Sequence, residues 1–227
     1  SSQPAESRAW LEQAVAGYTT LLGRRENGHL RYNLGNAYAL LGDTGRASLE
    51  YARARRLLGA DQDLAANAAQ LDAGAEIDAT FASRLDRAAL YWRGVLPVRL
   101  VWWIGVACAA MFWLSLAGAA LRTRWRFLRW TALASGAIAA LTLGSLGYES
   151  WRNARAPEVV VIDVVQGRKG PDERAYEPSF DEPLAPGLRA RLVEERAGWV
   201  RLRLADGRDT WTRDDAVEAL LPVRSRS

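Results

Sequence analysis

The residues best suited to chemistry are few. The chain has one cysteine, Cys108, one histidine, His29, and one lysine, Lys169. Cys108 lies inside an apolar run, so neither an intrachain disulfide nor a cysteine-based zinc site can form. His29 has no second histidine to make a metal pair. Lys169 follows Arg168, so there is no phosphate loop ending in Gly-Lys-Ser/Thr. The metalloprotease pattern HExxH and the serine-hydrolase pattern GxSxG are also absent. Counting leaves serine–lysine and carboxylate-dyad chemistry open, but no motif supports them. The expectation is a non-enzymatic protein with no metal and no cofactor.

Two groups of side chains are suited to binding instead. His29, Tyr32, Asn33 and Asn36 fall on one side of a helical stretch. Two amides a turn apart can read a peptide backbone or a carboxylate through paired hydrogen bonds. Asparagine is also ordinary at these offsets without any ligand, so groove and plain scaffold both stand. Tyr176, Phe180, Trp199 and Trp211 form the second group, a candidate aromatic cleft. Trp199 and Trp211 are equally suited to a small β core.

The first group needs helices to hold it. From Gly28 the chain reads GHLRYNLGNAYALLGDTGRASLEYARARRLLG. Leu34, Tyr38 and Leu41, then Ala47, Tyr51, Ala54 and Leu58, recur at helical spacing, and Gly42-Asp43 separates the two runs. The segment resembles a tetratricopeptide repeat (TPR). Leu34-Gly35, Tyr38, Ala47, Tyr51 and Ala54 carry the resemblance. Arg31 stands where that pattern has Trp, and Gly59 where it has Pro. Ala14, Tyr18 and Leu21 look like the second helix of an earlier, incomplete unit, and residues 61–76 like a capping helix. Repeats of this kind need about three units for stability. Residues 1–76 are therefore expected to be completed by a partner or by the membrane-proximal helix. The resemblance implies that the first helix of the unit lines a concave face carrying His29, Tyr32, Asn33 and Asn36.

The middle of the chain explains a misleading average. The mean hydropathy is -0.16 and the net charge +4. Yet residues 100–121 and 130–148 contain no charge at all. As helices they run about 33 and 28 Å, against a hydrocarbon core of about 30 Å. A transmembrane helical hairpin over 100–148 follows. Its connector carries Arg122, Arg124, Arg126 and Arg129 and no acid, while the flanking parts nearly cancel, so these four arginines account for the whole net charge. No folded region is basic, which argues against a nucleic-acid partner. The arginine density favours a cytoplasmic connector, with both soluble parts on the other side of a bacterial inner membrane. The chain opens at Ser1 without Met, which fits removal of an export signal and fits trimming equally. Ala132, Gly136, Ala140 and Gly144 form a small-residue face for close helix packing, either with the first span or with a partner. Before the hairpin, residues 77–99 read as an amphipathic linker helix with Ile77, Phe81, Leu85, Ala88, Ala89 and Trp92 in one stripe. It suits the membrane surface or the end of the repeat.

After Pro157 the period changes to two. Glu158–Val165 is nearly all β-branched, and Asp206-Gly207 between alternating runs signals a hairpin. Residues 157–222 resemble a bacterial SH3-like barrel through LVEERAGWVRLRLADGRDTWTRDDAVEAL, with Trp199, Asp206-Gly207 and Trp211 at the matching places. GRKGPDE replaces the loop that often follows the first strand in that family.

The expected fold class is therefore multidomain: TPR-like α hairpins, two transmembrane helices and a small SH3-like β-barrel. In this order the modules resemble the BatE-like TPR/SH3 membrane proteins of bacterial aerotolerance operons. The resemblance implies von Willebrand A-domain membrane proteins and MoxR-type ATPases as partners, and a role in oxygen or envelope-stress tolerance. A peptidoglycan anchor acting through the barrel is the alternative.

Overall fold

A computed structural model describes residues 3–71, 89–93, 95–121 and 126–221. The repeat segment forms α1 (Gln3–Arg24), α2 (Gly28–Leu41), α3 (Thr44–Leu58) and α4 (Gln62–Gln70). Local chemistry sets the boundaries. Asn27 accepts from the backbone N–H groups of His29 and Leu30 at the start of α2. Asp43 and Asp61 do the same for Arg46 and Leu64. Gly42 ends α2 with φ +82°, a left-handed conformation that costs glycine little. Gly35 lets α2 and α3 approach, since a Cβ there would lie 2.6 Å from the Tyr51 ring.

Two helices follow that are long and apolar enough to cross a membrane: α5 (Val98–Leu121) and α6 (Arg126–Arg155). Each extends beyond its uncharged run. At 30 residues, α6 is about 45 Å long, more than the thickness of a hydrocarbon core, about 30 Å. The two helices pack along a seam with a period near 3.5. On α6 the buried positions are Ala132, Ser135, Ala139, Thr142, Ser145 and Glu149. On α5, Val101, Gly105 and Ser115 are buried, with Cys108 and Phe112 partly buried at the intervening heptad places. This is the spacing of a left-handed helix pair.

The C-terminal part is a five-stranded antiparallel sheet: β1 (Glu158–Val161), β2 (Arg189–Arg196), β3 (Trp199–Arg203), β4 (Asp209–Arg213) and β5 (Val217–Ala219), in spatial order β4-β3-β2-β1-β5. It is an open sheet: no ladder joins β4 to β5 among the described residues. The chain leaving β1 nevertheless returns to the far edge, where Arg168 and Trp211 exchange two backbone hydrogen bonds of 2.8 Å. Val159, Val161, Ala190, Leu192, Val200 and Leu202 belong to the core on one side of the sheet.

The other side of β1 explains its continuous β-branched run. Val160 and Ile162 pack on Leu49 and Ala52 of α3, together with Leu220. A strand buried on both faces has no polar alternation. The sheet therefore covers the outer face of α3, where the repeat was expected to need a partner or the membrane-proximal helix.

Most of the expected amphipathic helix over 77–99 lies outside the described residues. From Leu90 to Arg93 the chain forms turns, not a continuing helix, before α5 begins at Val98. Trp92 is 1% exposed and donates from Nε1 to the Ser145 hydroxyl at 3.0 Å. It docks on α6.

Candidate interaction site

The four residues expected on the concave face divide into two pairs. His29 and Asn33 are exposed. Tyr32 and Asn36 are half-buried and tied into the repeat. The Tyr51 hydroxyl donates to Asn36 Oδ1 at 2.7 Å. Asn67 of α4 donates from Nδ2 to the same oxygen at 3.0 Å and to the Tyr32 hydroxyl at 2.8 Å. The Tyr32 and Tyr51 rings lie 6.0 Å apart. The network fixes α2, α3 and α4 and leaves His29 and Asn33 free to meet a ligand.

The aromatic residues of the sheet do not share one face. Phe180 packs on the core and carries the Arg208 guanidinium 4.4 Å from its ring centroid. Thr210, Trp211 and Thr212 are all buried, with Trp211 turned by strand alternation to the opposite face of the sheet. Arg201, registered opposite Trp211, lies 5.9 Å from its ring. Trp199 is half-buried on that same outer face, one diagonal step from Trp211. Tyr176 is exposed on a loop, its ring against Gly170, where a Cβ would come within 2.5 Å.

The small-residue stripe also splits. Ala132 is buried, and a Cβ at Gly136 would meet the Phe112 ring at 2.9 Å. Ala140 and Gly144 are exposed, and Gly144 has open space around it. Four-residue spacing advances about 40° per step around a helix, so the stripe winds off a seam of period 3.5. Arg126 and Arg129 are exposed on the first turn of α6. Arg122 and Arg124 lie outside the described residues.

The strongest polar structure joins the modules. Glu26, Arg31, Glu50, Arg53 and Glu218 form one alternating chain of ion pairs from the α1–α2 loop to β5. Glu50 is 4% exposed and accepts from both Arg31 and Arg53. The hydrogen bond from Arg31 holds the Glu26 carboxyl below its ordinary range, although burial opposes this. Burial would lower the Arg31 guanidinium, but Glu26 and Glu50 outweigh it and raise it. A second group sits toward the C-terminal end of α6, just past its uncharged run. Glu149 is 3% exposed and pairs with Arg56 of α3 and with Arg93. Arg93 also binds Glu158 of β1 at 2.8 Å. Buried carboxylates held this way depend on their partners, since a lost partner leaves a charge without water.

Sequence reasoning passed over these residues. Arg31 registered only as a departure from tryptophan. Glu149 is the first charge after an uncharged run of nineteen residues, which was the available signal for it. Among the described residues no cluster of His, Cys, Asp and Glu is arranged to hold a metal ion. Comparisons with protein-family models, curated proteins and solved structures return no match.

Proposed function

We propose that the chain is a membrane-anchored, non-enzymatic interaction scaffold. The TPR-like repeat and SH3-like sheet stand together on the periplasmic side, and connector 122–129 lies in the cytoplasm. The observation behind the reading is the docking of α3 on β1 at the end of an antiparallel apolar hairpin. That arrangement supports a reading in which both soluble parts lie on one side of a bilayer. On this reading exposed His29 and Asn33 contact a protein segment, and the outward Ala140–Gly144 face of α6 meets a partner's helix. Following the BatE-like resemblance, the partners are von Willebrand A-domain membrane proteins with MoxR-type ATPases, in oxygen or envelope-stress tolerance.

The test is a photo-crosslinker at Asn33 in native membranes, read by mass spectrometry. Recovery of a von Willebrand A-domain protein supports the reading; adducts with lipid or water alone overturn it. Topology is tested by labelling Thr20→Cys and Arg124→Cys from outside intact cells. Labelling at residue 124 alone overturns the orientation.

Exposed Tyr176 and half-exposed Trp199 favour a second reading, in which the sheet binds peptidoglycan. Retention on murein sacculi that requires residues 157–222 selects it.

A further inference from the structure

Between α1, α2, α3 and β5 lies a cavity of about 350 Å³. That is at the small end of the range for ligand sites. It contains none of His29, Tyr32, Asn33 and Asn36, so it is distinct from the surface proposed above. Its floor is apolar: Leu22, Leu34 and Leu49 are all buried.

The charged wall is largely self-satisfied. Arg31, Glu50 and Arg53 are engaged with one another and with Glu26, Glu218 and the carbonyls of Ala219 and Leu220. Three groups keep unused capacity among the described residues. Glu218 binds Arg53 through Oε1 and retains Oε2. Arg46 meets Asp43 through its backbone N–H and Nη1, which leaves Nε and Nη2. The Tyr38 hydroxyl has no hydrogen-bond partner among the described residues, and it feels both Arg46 and Glu218. Asp163 is also close enough to act on Arg46. Arg46 and Glu218 are 40% and 45% exposed, so both are reachable.

Free donors and a free acceptor above an apolar floor match one kind of ligand. The geometry points to this cavity as a binding site for an apolar amino-acid residue, presented free or within a peptide. Its carboxylate or carbonyl meets Arg46 and Tyr38, its amino or amide N–H meets Glu218, and its side chain rests on Leu22, Leu34 and Leu49. The donor–acceptor pair balances a zwitterion, so no net charge is buried.

The test uses the full chain in lipid nanodiscs and ligand-observed NMR titration. The probes are L-leucine, glycine and N-acetyl-L-leucine N-methylamide. Leucine is expected to bind below about 10 mM and glycine at least about tenfold more weakly. Arg46→Gln is expected to weaken leucine by about fivefold or more. Thr19→Trp, which places an indole in the cavity lining, is expected to abolish binding. Tighter binding of the blocked leucine identifies a peptide as the source; tighter binding of leucine identifies the free amino acid. The inference is overturned if neither form binds, if glycine matches leucine, or if Thr19→Trp leaves binding unchanged.

Discussion

Arg53 of α3 donates from Nη2 to the Ala219 carbonyl at 2.7 Å, and from Nε to the Leu220 carbonyl at 3.1 Å. One side chain thus caps the end of β5 and ties α3 to the sheet. Edge strands are otherwise open to pairing with other chains.

Replacing Arg53 by Ala is expected to destabilise the protein by about 3 kcal/mol, because buried Glu50 loses one of its two partners. Urea denaturation in detergent, followed by tryptophan emission, reads the change. Arg53→Lys is expected to recover only part of it, since an ammonium lacks the planar fork. Full recovery by Lys would show that charge alone holds the edge.

Gly45 tests the docking directly. A Cβ there would lie 2.1 Å from the Ile162 carbonyl oxygen, a backbone atom that cannot move aside. Gly45→Ala is expected to lift α3 from β1 and to cost about 2 kcal/mol or more. Limited proteolysis should then cut between repeat and sheet faster than in the parent protein. Unchanged cutting would place the docking elsewhere.

The hairpin seam separates two glycines. At Gly105 a Cβ would meet Leu143 at 2.6 Å and the Thr142 hydroxyl at 2.9 Å, whereas Gly144 has open space. Gly105→Leu is expected to splay α5 from α6, and Gly144→Leu to leave the isolated chain unchanged. Disulfide trapping between cysteines at Ser115 and Thr131, whose hydroxyls lie 3.2 Å apart, reports the splay. A defect of Gly144→Leu seen only in native membranes would mark a partner helix.

Acid should loosen the soluble part. The Arg31 hydrogen bond lowers the Glu26 carboxyl, and the Arg203 hydrogen bond lowers that of Asp209. A carboxyl depressed in the folded state contributes stability that is present above its unfolded value, near 4. That stability is lost as pH falls through the folded value. Thermal melts should be flat from about pH 5 to 7 and decline below about pH 4. The decline should be smaller in Glu26→Gln.

The sequence made the elements legible and left their assembly hidden. The 3.6-residue period of Leu34, Tyr38 and Leu41 announces α2, and Asp206-Gly207 announces the β3–β4 hairpin. The uncharged runs announce α5 and α6. All of these signals are local. The docking of Leu49 on Val160 joins residues more than a hundred positions apart, and a single sequence carries no local trace of it. The seam was partly readable: Ser135, Thr142 and Glu149 recur every seven residues, but the small residues at spacing four drew attention first. Of the four candidate residues on α2, His29 and Asn33 are exposed. Tyr32 and Asn36 are held by Asn67 and Tyr51, residues that periodicity treats only as helix packing.

The bond from Arg53 to Leu220 spans 167 positions of chain. A ribosome therefore delivers α3 long before the strand that covers it. Until residues near 220 have emerged, the cluster of Leu49, Ala52, Val160 and Ile162 lacks Leu220, and Arg53 lacks its two carbonyl partners. Contacts of such long sequence separation form later than local helices as a rule. A chain stalled or cut ahead of β5 would carry an intact repeat and hairpin with a sticky flank.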